Sequence, residues 1–425
     1  MRQKINIDHL CRVEGHGGIS VEIEDGKIRK MHMDVLEGAR FFEALLVGKK
    51  WDDVTRVTSC ICAICSMGHT TASLRSIEDA FGIKVSEQTR LLRELGNHGQ
   101  FIESHALHVG CLALPDFLGF GGALDMAAKF PDKVKLVLSL KKLGNAIQEV
   151  VGGKAIHPIN LAVGRFGKVP AKDQLKGLRG QLEKSIDGVW ALARLFNTIK
   201  TPVYAESPVT YAALEPEGGV YGWFGNRIKL STGDSFDIHD YRKVCNERTV
   251  AHSTAKQSKF QEKPFMTGSL ARLVINYDKL SGEAKKAAKE FNIPIPSNNI
   301  LHNNHAQIVE LFWAAERSIQ VIDKLLAMDL KQEPAPEIKV RAAEGVGAVE
   351  VPRGTLYHSY TFNAEGRIQD SDIITPTAQN HANIEKDFQA ALNYLVAKKT
   401  DEAALAQSLE VIARAYDPCI SCSCH

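Results

Sequence analysis

Two short stretches decide the reading. One is Cys62-Ala63-Ile64-Cys65, running on into Ser66-Met67-Gly68-His69; the other is Asp417-Pro418-Cys419-Ile420-Ser421-Cys422-Ser423-Cys424-His425 at the far end. Each holds a Cys-x-x-Cys pair, a spacing that lets two thiolates from one turn face one metal. Two pairs complete a four-sulfur set, and soft thiolates select zinc, iron-sulfur or other thiophilic transition metals. The chain has nine cysteines, an odd number, and six of them crowd into Cys60/Cys62/Cys65 and Cys419/Cys422/Cys424. The opening residues Met1-Arg2-Gln3-Lys4-Ile5-Asn6-Ile7-Asp8 hold neither an apolar leader segment nor a small-residue cleavage site. In a long chain of this kind the cysteine pattern favours metal or redox chemistry over a disulfide framework, and a cytoplasmic location is expected.

Working outward, 425 residues are enough for a sizeable buried core. The 52 Lys and Arg against 50 Asp and Glu leave a net charge of +2, so no charge field points to nucleic acid or an anionic membrane as partner. The most apolar stretch, residues 101–120, is broken by Glu103, His105, His108 and Asp116, which argues against membrane insertion. Ile19-Ser20-Val21-Glu22-Ile23 alternates in period two, and Asp25-Gly26 is a turn signal with a return strand over 28–35. Helices are expected over 69–81, 88–114, 131–151, 172–198 and 304–328, with short strands and loops over 201–261. Strands over 354–375 and helices over 387–397 and 402–416 complete the pattern. The expectation is an α+β, mainly helical fold forming one unit. It has an N-terminal β-region at about 1–37, a helical core at about 38–200 and 300–330, a peripheral mixed segment at about 201–299 and a C-terminal β/helical region at about 337–425.

The residues around the two cysteine pairs resemble the signature motifs of nickel-iron hydrogenase large subunits. Further matches occur in the family's order: Arg12-Val13-Glu14-Gly15-His16-Gly17, Arg40-Phe41-Phe42-Glu43 with Gly48-Lys49, and His105-Ala106-Leu107-His108 leading to Pro115-Asp116. Val351-Pro352-Arg353-Gly354 and Thr375-Pro376-Thr377-Ala378-Gln379-Asn380 follow, so the matches cover nearly the whole chain. The resemblance implies a central helix bundle and heterolytic cleavage of dihydrogen. Cys62 and Cys419 would be terminal nickel thiolates, and Cys65 and Cys422 would bridge nickel to an iron carrying cyanide and carbon monoxide. Four thiolates neutralise nickel, while the diatomic ligands keep iron low-spin. Arg353 would hang over the metals, oriented by Asp116 and Asp417, because a fixed guanidinium polarises without releasing its proton. Thr377 matches a hydroxyl donor to cyanide, His69 a donor near a bridging sulfur, and Pro352 with Pro376 the wall of the diatomic-ligand pocket. Glu14 matches a proton gate fed by a cysteine thiolate, with Cys422 the expected donor. Glu43, His425 and the carbonyl of Ile373 match ligands of a buried magnesium.

Electrons would leave through an iron-sulfur small subunit, since no further four-cysteine motif remains, and through cofactor-reducing subunits beyond it. The short length and the Ile-Ser-Cys style of the last motif resemble the cytoplasmic, cofactor-coupled group. Departures from the family pattern are Cys60 for Arg, Ala63 and Phe41 for Gly, and Gln379 for Trp; none removes a metal ligand. Cys11, Cys60 and Cys424 are extra thiols, read as ordinary buried cysteines ahead of redox-active ones. Two other classes compete with this reading. The related quinone-site subunit of respiratory complex I loses the cysteines kept here, and a structural zinc protein is separated by metal analysis.

Overall fold

A computed structural model describes residues 2–425, so Met1 of the expected N-terminal β-region lies outside the described residues. The chain opens with an antiparallel sheet, Arg2–Ile7, Gly17–Glu24 and Lys27–Val35, in that spatial order. The turn between the last two strands puts Asp25 at φ 50° and Gly26 at φ 70°, both left-handed, which is the backbone that a two-residue hairpin of right-twisted strands requires.

Four long helices build the core: Glu87–Leu107, Pro131–Gly152, Lys172–Phe196 and His302–Ala327. Glu87–Leu107 packs against both Pro131–Gly152 and His302–Ala327, and the last also packs on Lys172–Phe196. All four were expected, but the helix read as 88–114 changes pitch at its end. After Leu107 it widens into a π-helical stretch, His108–Ala113, and resumes as Leu114–Leu118. Pro115 has no N–H to give the Cys111 carbonyl, so the regular hydrogen-bond ladder is interrupted there. No single helix among the described residues is long and apolar enough to cross a membrane. The bent pair Glu87–Leu118 and Ala123–Lys129 passes that test on length and composition only, and most of Glu87–Leu107 is buried in the core.

A second antiparallel sheet, Ala343–Val351, Gly354–Phe362 and Ile368–Ile374, lies against the helix Ser66–Phe81. Its first strand went unread in the sequence. The hairpin joining the first two strands has Val351 opposite Gly354, so Pro352 and Arg353 form its tip. Helix and sheet approach very closely. A Cβ placed on Gly347 would lie 2.1 Å from the Ala72 carbonyl oxygen, and one on Gly345 the same distance from that of Ser76. The following helix starts at Pro376, eleven positions before 387, because proline at the first helical turn has no N–H to leave unpaired and a pre-set φ. Helix Glu402–Ala415 then delivers Tyr416, Asp417 at φ 52°, and the last cysteines.

This contact gives a test of the fold. Gly347→Ala should destabilise the protein by about 1–3 kcal/mol, since the methyl forces helix and strand apart. Gly177→Ala, in an exposed helix position with nothing within 4 Å, should be neutral or stabilising by up to about 1 kcal/mol. Thermal unfolding of both variants beside the parent checks the contrast, and equal melting temperatures would contradict the close approach.

Candidate metal centre

Helix Ser66–Phe81 begins immediately after Cys65, so the first pair of thiols sits at its N-terminal end. The second pair arrives by a different route. Glu14 and Cys419 form a parallel bridge, and the Ile420 amide donates to the Glu14 carbonyl at 2.9 Å. Gly15, at φ 88°, leaves room for Ile420: a Cβ there would lie 2.7 Å from the Ile420 Cβ. The tail is also tied from outside. Arg40 N–H donates to the Cys424 carbonyl at 2.9 Å, and the Arg40 guanidinium donates to the carbonyls of Ile61 (2.5 Å) and Ser421, one from each cysteine segment.

Cys62, Cys65, Cys419 and Cys422 thus meet, all buried, with their sulfurs within 4.8 Å of one another. Cys62 Sγ lies 3.3 Å and Cys422 Sγ 2.8 Å from Cys419 Sγ, beyond the roughly 2.05 Å of a disulfide. Burial pushes the Cys419 thiol up to about 11 and that of Cys422 well above its usual value. Four buried sulfurs converging on one point are a donor set that fits a thiophilic metal. A cavity beside them is lined by Cys65, His69, Val351, Leu356, Pro376 and Thr377, among others.

Arg353 reaches this cavity from the hairpin tip. Its Nε donates to the Asp417 backbone carbonyl at 2.7 Å and one terminal nitrogen to the Asp417 carboxylate at 2.9 Å. The other terminal nitrogen stands 3.6 Å from Cys65 Sγ. Burial opposes its charge, but Asp417 and the neighbouring thiols more than offset that and hold the guanidinium protonated. Thr377 Oγ1 accepts from the Cys419 amide at 2.9 Å. His69 Nε2 lies 3.7 Å from Cys422 Sγ, and its Nδ1 is 3.0 Å from His358 Nε2. Burial pushes the His69 imidazole down to about 3, so it is neutral.

Three expectations need correction. Asp116 does not touch Arg353: its carboxylate is held by Arg414 at 2.7 and 3.0 Å and by Arg12, so both its oxygens are taken. Arg414 precedes Asp417 at the end of its helix, and Asp116 therefore braces Arg353 only through that helix end. The thiol beside Glu14 is Cys419, at 3.1 Å, not Cys422, because the parallel bridge sets residues 14 and 419 side by side. Pro352 does not line the cavity; its carbonyl turns away to accept from Arg272 at 2.9 Å, and Val351 and Leu356 supply the wall with Pro376. Among the extra thiols, Cys424 is buried but Cys11 and Cys60 are exposed.

At the chain end, Glu43 Oε1 accepts from the Ile373 amide at 2.9 Å and lies 3.6 Å from His425 Nε2. His425 Nδ1 donates to the Cys422 carbonyl at 2.8 Å, while its Nε2 is buried without a hydrogen-bond partner. Burial opposes ionisation of Glu43, yet His425 and Lys256 draw it down to about 2. An ionised carboxylate beside an orphaned imidazole nitrogen fits a divalent cation.

Sequence reading missed the ion lattice behind Arg353, which carries no motif. Arg272 donates to Glu310 at 2.6 and 2.8 Å, to Glu350 at 2.8 Å and to the Val351 carbonyl at 2.9 Å, all buried. His105 Nε2 and Tyr221 Oη complete it at 2.8 and 2.6 Å from Glu310.

A helical core whose distant segments converge on a buried, arginine-capped four-thiol cluster defines a thiolate-ligated redox metalloprotein. The family model "Nickel-dependent hydrogenase" matches residues 40–146 and 216–425. The chain is 36% identical to the alpha chain of Sulfhydrogenase 1 of Pyrococcus furiosus, over 99% of this chain and 97% of that one. It is 37% identical to the alpha chain of Sulfhydrogenase 2 of the same organism, over 99% and 98%. The fold matches a crystal structure of an NAD+-reducing [NiFe]-hydrogenase with TM-score 0.90 and 25% identity, over 100% and 99% of the two chains. The chain belongs to the nickel-dependent hydrogenase family. It is the catalytic large subunit, an oxidoreductase that cleaves dihydrogen to protons and electrons at the Ni-Fe centre of its four-cysteine group and passes the electrons to a small subunit.

Two substitutions separate position from scaffold. Arg353→Lys should keep the metals and melting temperature but lose most dihydrogen turnover, because lysine cannot span the Asp417 carboxylate and carbonyl together. Asp116→Asn should instead lower stability by about 1–3 kcal/mol by leaving Arg414 buried and underpaired. Turnover per nickel and thermal unfolding, measured on both, check the assignment; near-native turnover in Arg353→Lys would refute it.

Proposed function

We propose that Arg353 polarises dihydrogen at the centre and that Cys419 and Glu14 carry the proton away, within a cytoplasmic complex coupled to a soluble cofactor. The observation carrying this reading is the 3.1 Å contact between Cys419 Sγ and Glu14 Oε2. Cys62, Cys65, Cys419 and Cys422 would hold the Ni-Fe centre, which, with cyanide and carbon monoxide on its iron, would supply electron-rich metals able to take up a hydride.

Arg353 is dry, protonated and fixed by Asp417, so it stabilises developing negative charge without reorganising. It cannot serve as the base, because a guanidinium has no lone pair to offer. Cys419 sulfur therefore takes the proton, and Glu14 Oε2 receives it. Ser421 holds that carboxylate in place, its amide donating to Oε2 at 3.1 Å and its hydroxyl to Oε1. Half-buried, Glu14 can pass the proton onward to solvent. Thr377 accepts from the Cys419 amide and keeps its own hydrogen for a cyanide nitrogen, while Pro376, Val351 and Leu356 make a dry wall suited to carbon monoxide. His69 orients the Cys422 sulfur. We assign Glu43, His425 and the Ile373 carbonyl to magnesium, which would brace the last residue of the second thiol segment.

Leu36, Phe41, Leu45 and Val47 are 64%, 67%, 54% and 53% exposed on one segment leading to the thiols. Such an apolar run supports docking of an iron-sulfur small subunit there, and the likeness to an NAD+-reducing hydrogenase supports further cofactor-reducing subunits and a cytoplasmic site.

Infrared spectra of the purified complex test the diatomic ligands, since cyanide and carbonyl stretches have no other source in a protein. Cys65→Ser or Cys422→Ser should abolish nickel incorporation, because a hydroxyl replaces a soft bridging ligand poorly. For the proton route, Glu14→Gln should assemble normally yet lose about 100-fold or more in proton-deuteron exchange with solvent and in dihydrogen oxidation. Interconversion of para- and ortho-dihydrogen, which needs no proton exit, should survive better. Solvent exchange at the parent rate would remove Glu14 from the route.

A further inference from the structure

Away from the thiol centre, three chain segments bring a second ligand set together. His32 lies on the strand Lys27–Val35, His252 in the turn between Arg248–Val250 and Ser253–Gln257, and Glu385 on the helix Pro376–Ala397. One nitrogen from each imidazole and one carboxylate oxygen lie within 4.8 Å of one another. We propose that His32, His252 and Glu385 form a further metal site, which takes a zinc-class divalent ion and clamps the hairpin carrying His252 onto the N-terminal sheet and the helix.

The carboxylate is already set for this role. Glu385 Oε2 accepts from Gln257 Nε2 at 2.8 Å and Oε1 from the Met33 amide at 3.2 Å, the kind of outer hydrogen bonding that fixes a ligating carboxylate. Oε1 also faces both imidazoles, with His252 Nε2 at 2.7 Å and His32 Nδ1 at 3.8 Å. Ligands about 2.0–2.1 Å from a tetrahedral ion stand about 3.3 Å apart, so these separations bracket what zinc needs. The two rings stack at 4.0 Å with 22° between their planes, side by side against the same carboxylate, and one of them turns about its χ2 bond to bring both lone pairs onto one ion. At 3.8 Å His32 makes no hydrogen bond to that oxygen. His381, one helical turn before Glu385, closes the inner side; its Nε2 donates to the Met33 carbonyl at 3.1 Å and is therefore not a ligand. Side-chain exposures of 30%, 20% and 17% for His32, His252 and Glu385 leave an entry path and room for water as the fourth ligand.

The clamp would act on a segment that matters. On the same hairpin, Thr254 Oγ1 bonds the Glu37 carbonyl at 2.6 Å and lies 3.4 Å from Cys424 Sγ, and Lys256 Nζ is 2.8 Å from Glu247 and 3.4 Å from Glu43. Pinning His252 thus holds the strand that contacts Cys424 and Glu43.

The test uses zinc itself on the intact hydrogenase complex. After equilibration with zinc and removal of loose metal, elemental analysis should find one zinc per large subunit beyond nickel and iron, and anomalous diffraction at the zinc edge should place it between the three side chains. Zinc should also raise the melting temperature by a few degrees, since it binds only the folded form. His32→Gln and His252→Gln, both partly exposed, should each weaken zinc binding at least tenfold and abolish the thermal shift, with nickel content unchanged. Glu385→Gln should do the same, and the histidine variants keep the test sound should that variant fold poorly. No zinc above background in the parent, equal zinc in parent and variants, or anomalous density elsewhere would each overturn the proposal.

Discussion

The parallel contact between Glu14 and Cys419 is the constraint on which the rest depends, because it joins the start of the chain to its end beside the metal ligands. Neither cysteine pair can bind a Ni-Fe centre alone. The first is presented by a helix end, which the C-terminal sheet fixes through a backbone approach that only glycine permits. The second rides on a short tail whose residues have little internal structure to hold them. Bridging to Glu14, capping by Thr377 and the double reach of Arg40 supply what the tail lacks. A buried backbone needs every such partner, since each polar group left unmade would cost about 1–3 kcal/mol.

A second constraint is electrostatic. Arg353 must stay charged in a dry site, and Asp417 alone would leave its position soft. The hairpin tip that carries it is fixed from behind by Arg272, which binds the carbonyls of Val351 and Pro352 while bridging Glu310 and Glu350. Asp417 is fixed in turn by Gln307 and by the helix end that Asp116 grips through Arg414. Buried ion pairs of this kind add little net stability, and their value lies in specifying one geometry. Two arginines separated by one hairpin tip thus divide the work, one holding the scaffold and the other facing the metals.

The motifs legible in the sequence were those in which a residue type and a local spacing carry the chemistry. Both thiol pairs, Glu14, Arg353, Thr377 and His69 come together as expected, and so do the long amphipathic helices, whose apolar period survives in one dimension. What failed was partner choice. Asp116 lies directly after Pro115 in the short helix Leu114–Leu118, and whether its carboxylate meets Arg353 or Arg414 depends on packing set by the π-helical stretch before it. Cys419 and Cys422 are three residues apart, and only the bridge to residue 14 decides which sulfur faces the carboxylate. Strand Ala343–Val351 went unread because Gly345 and Gly347, placed for their lack of side chain, break the β-branched pattern that marks a strand. The charged members of the Arg272 lattice, Arg272, Glu310 and Glu350, are single residues scattered over the sequence, and nothing in their spacing linked them to the quoted motifs that hold His105 and Val351.

These arrangements link metal binding to closure of the chain. Without a metal, the tail is held by its backbone bonds and by single side-chain bonds from Arg40, Thr377, Glu14 and Arg353, each worth about 1 kcal/mol net. Ligation by four thiolates releases their protons and stabilises the tail far more strongly, but only when residues 62–65 and 419–422 are already side by side. The metal therefore selects the closed form, and the closed form sets Arg353 beside Cys65 and Glu14 beside Cys419. Closure of the tail and metal retention are consequently one equilibrium here: a change that loosens the tail at Gly15, Arg40 or Thr377 must weaken both together, even though none of those residues supplies a sulfur.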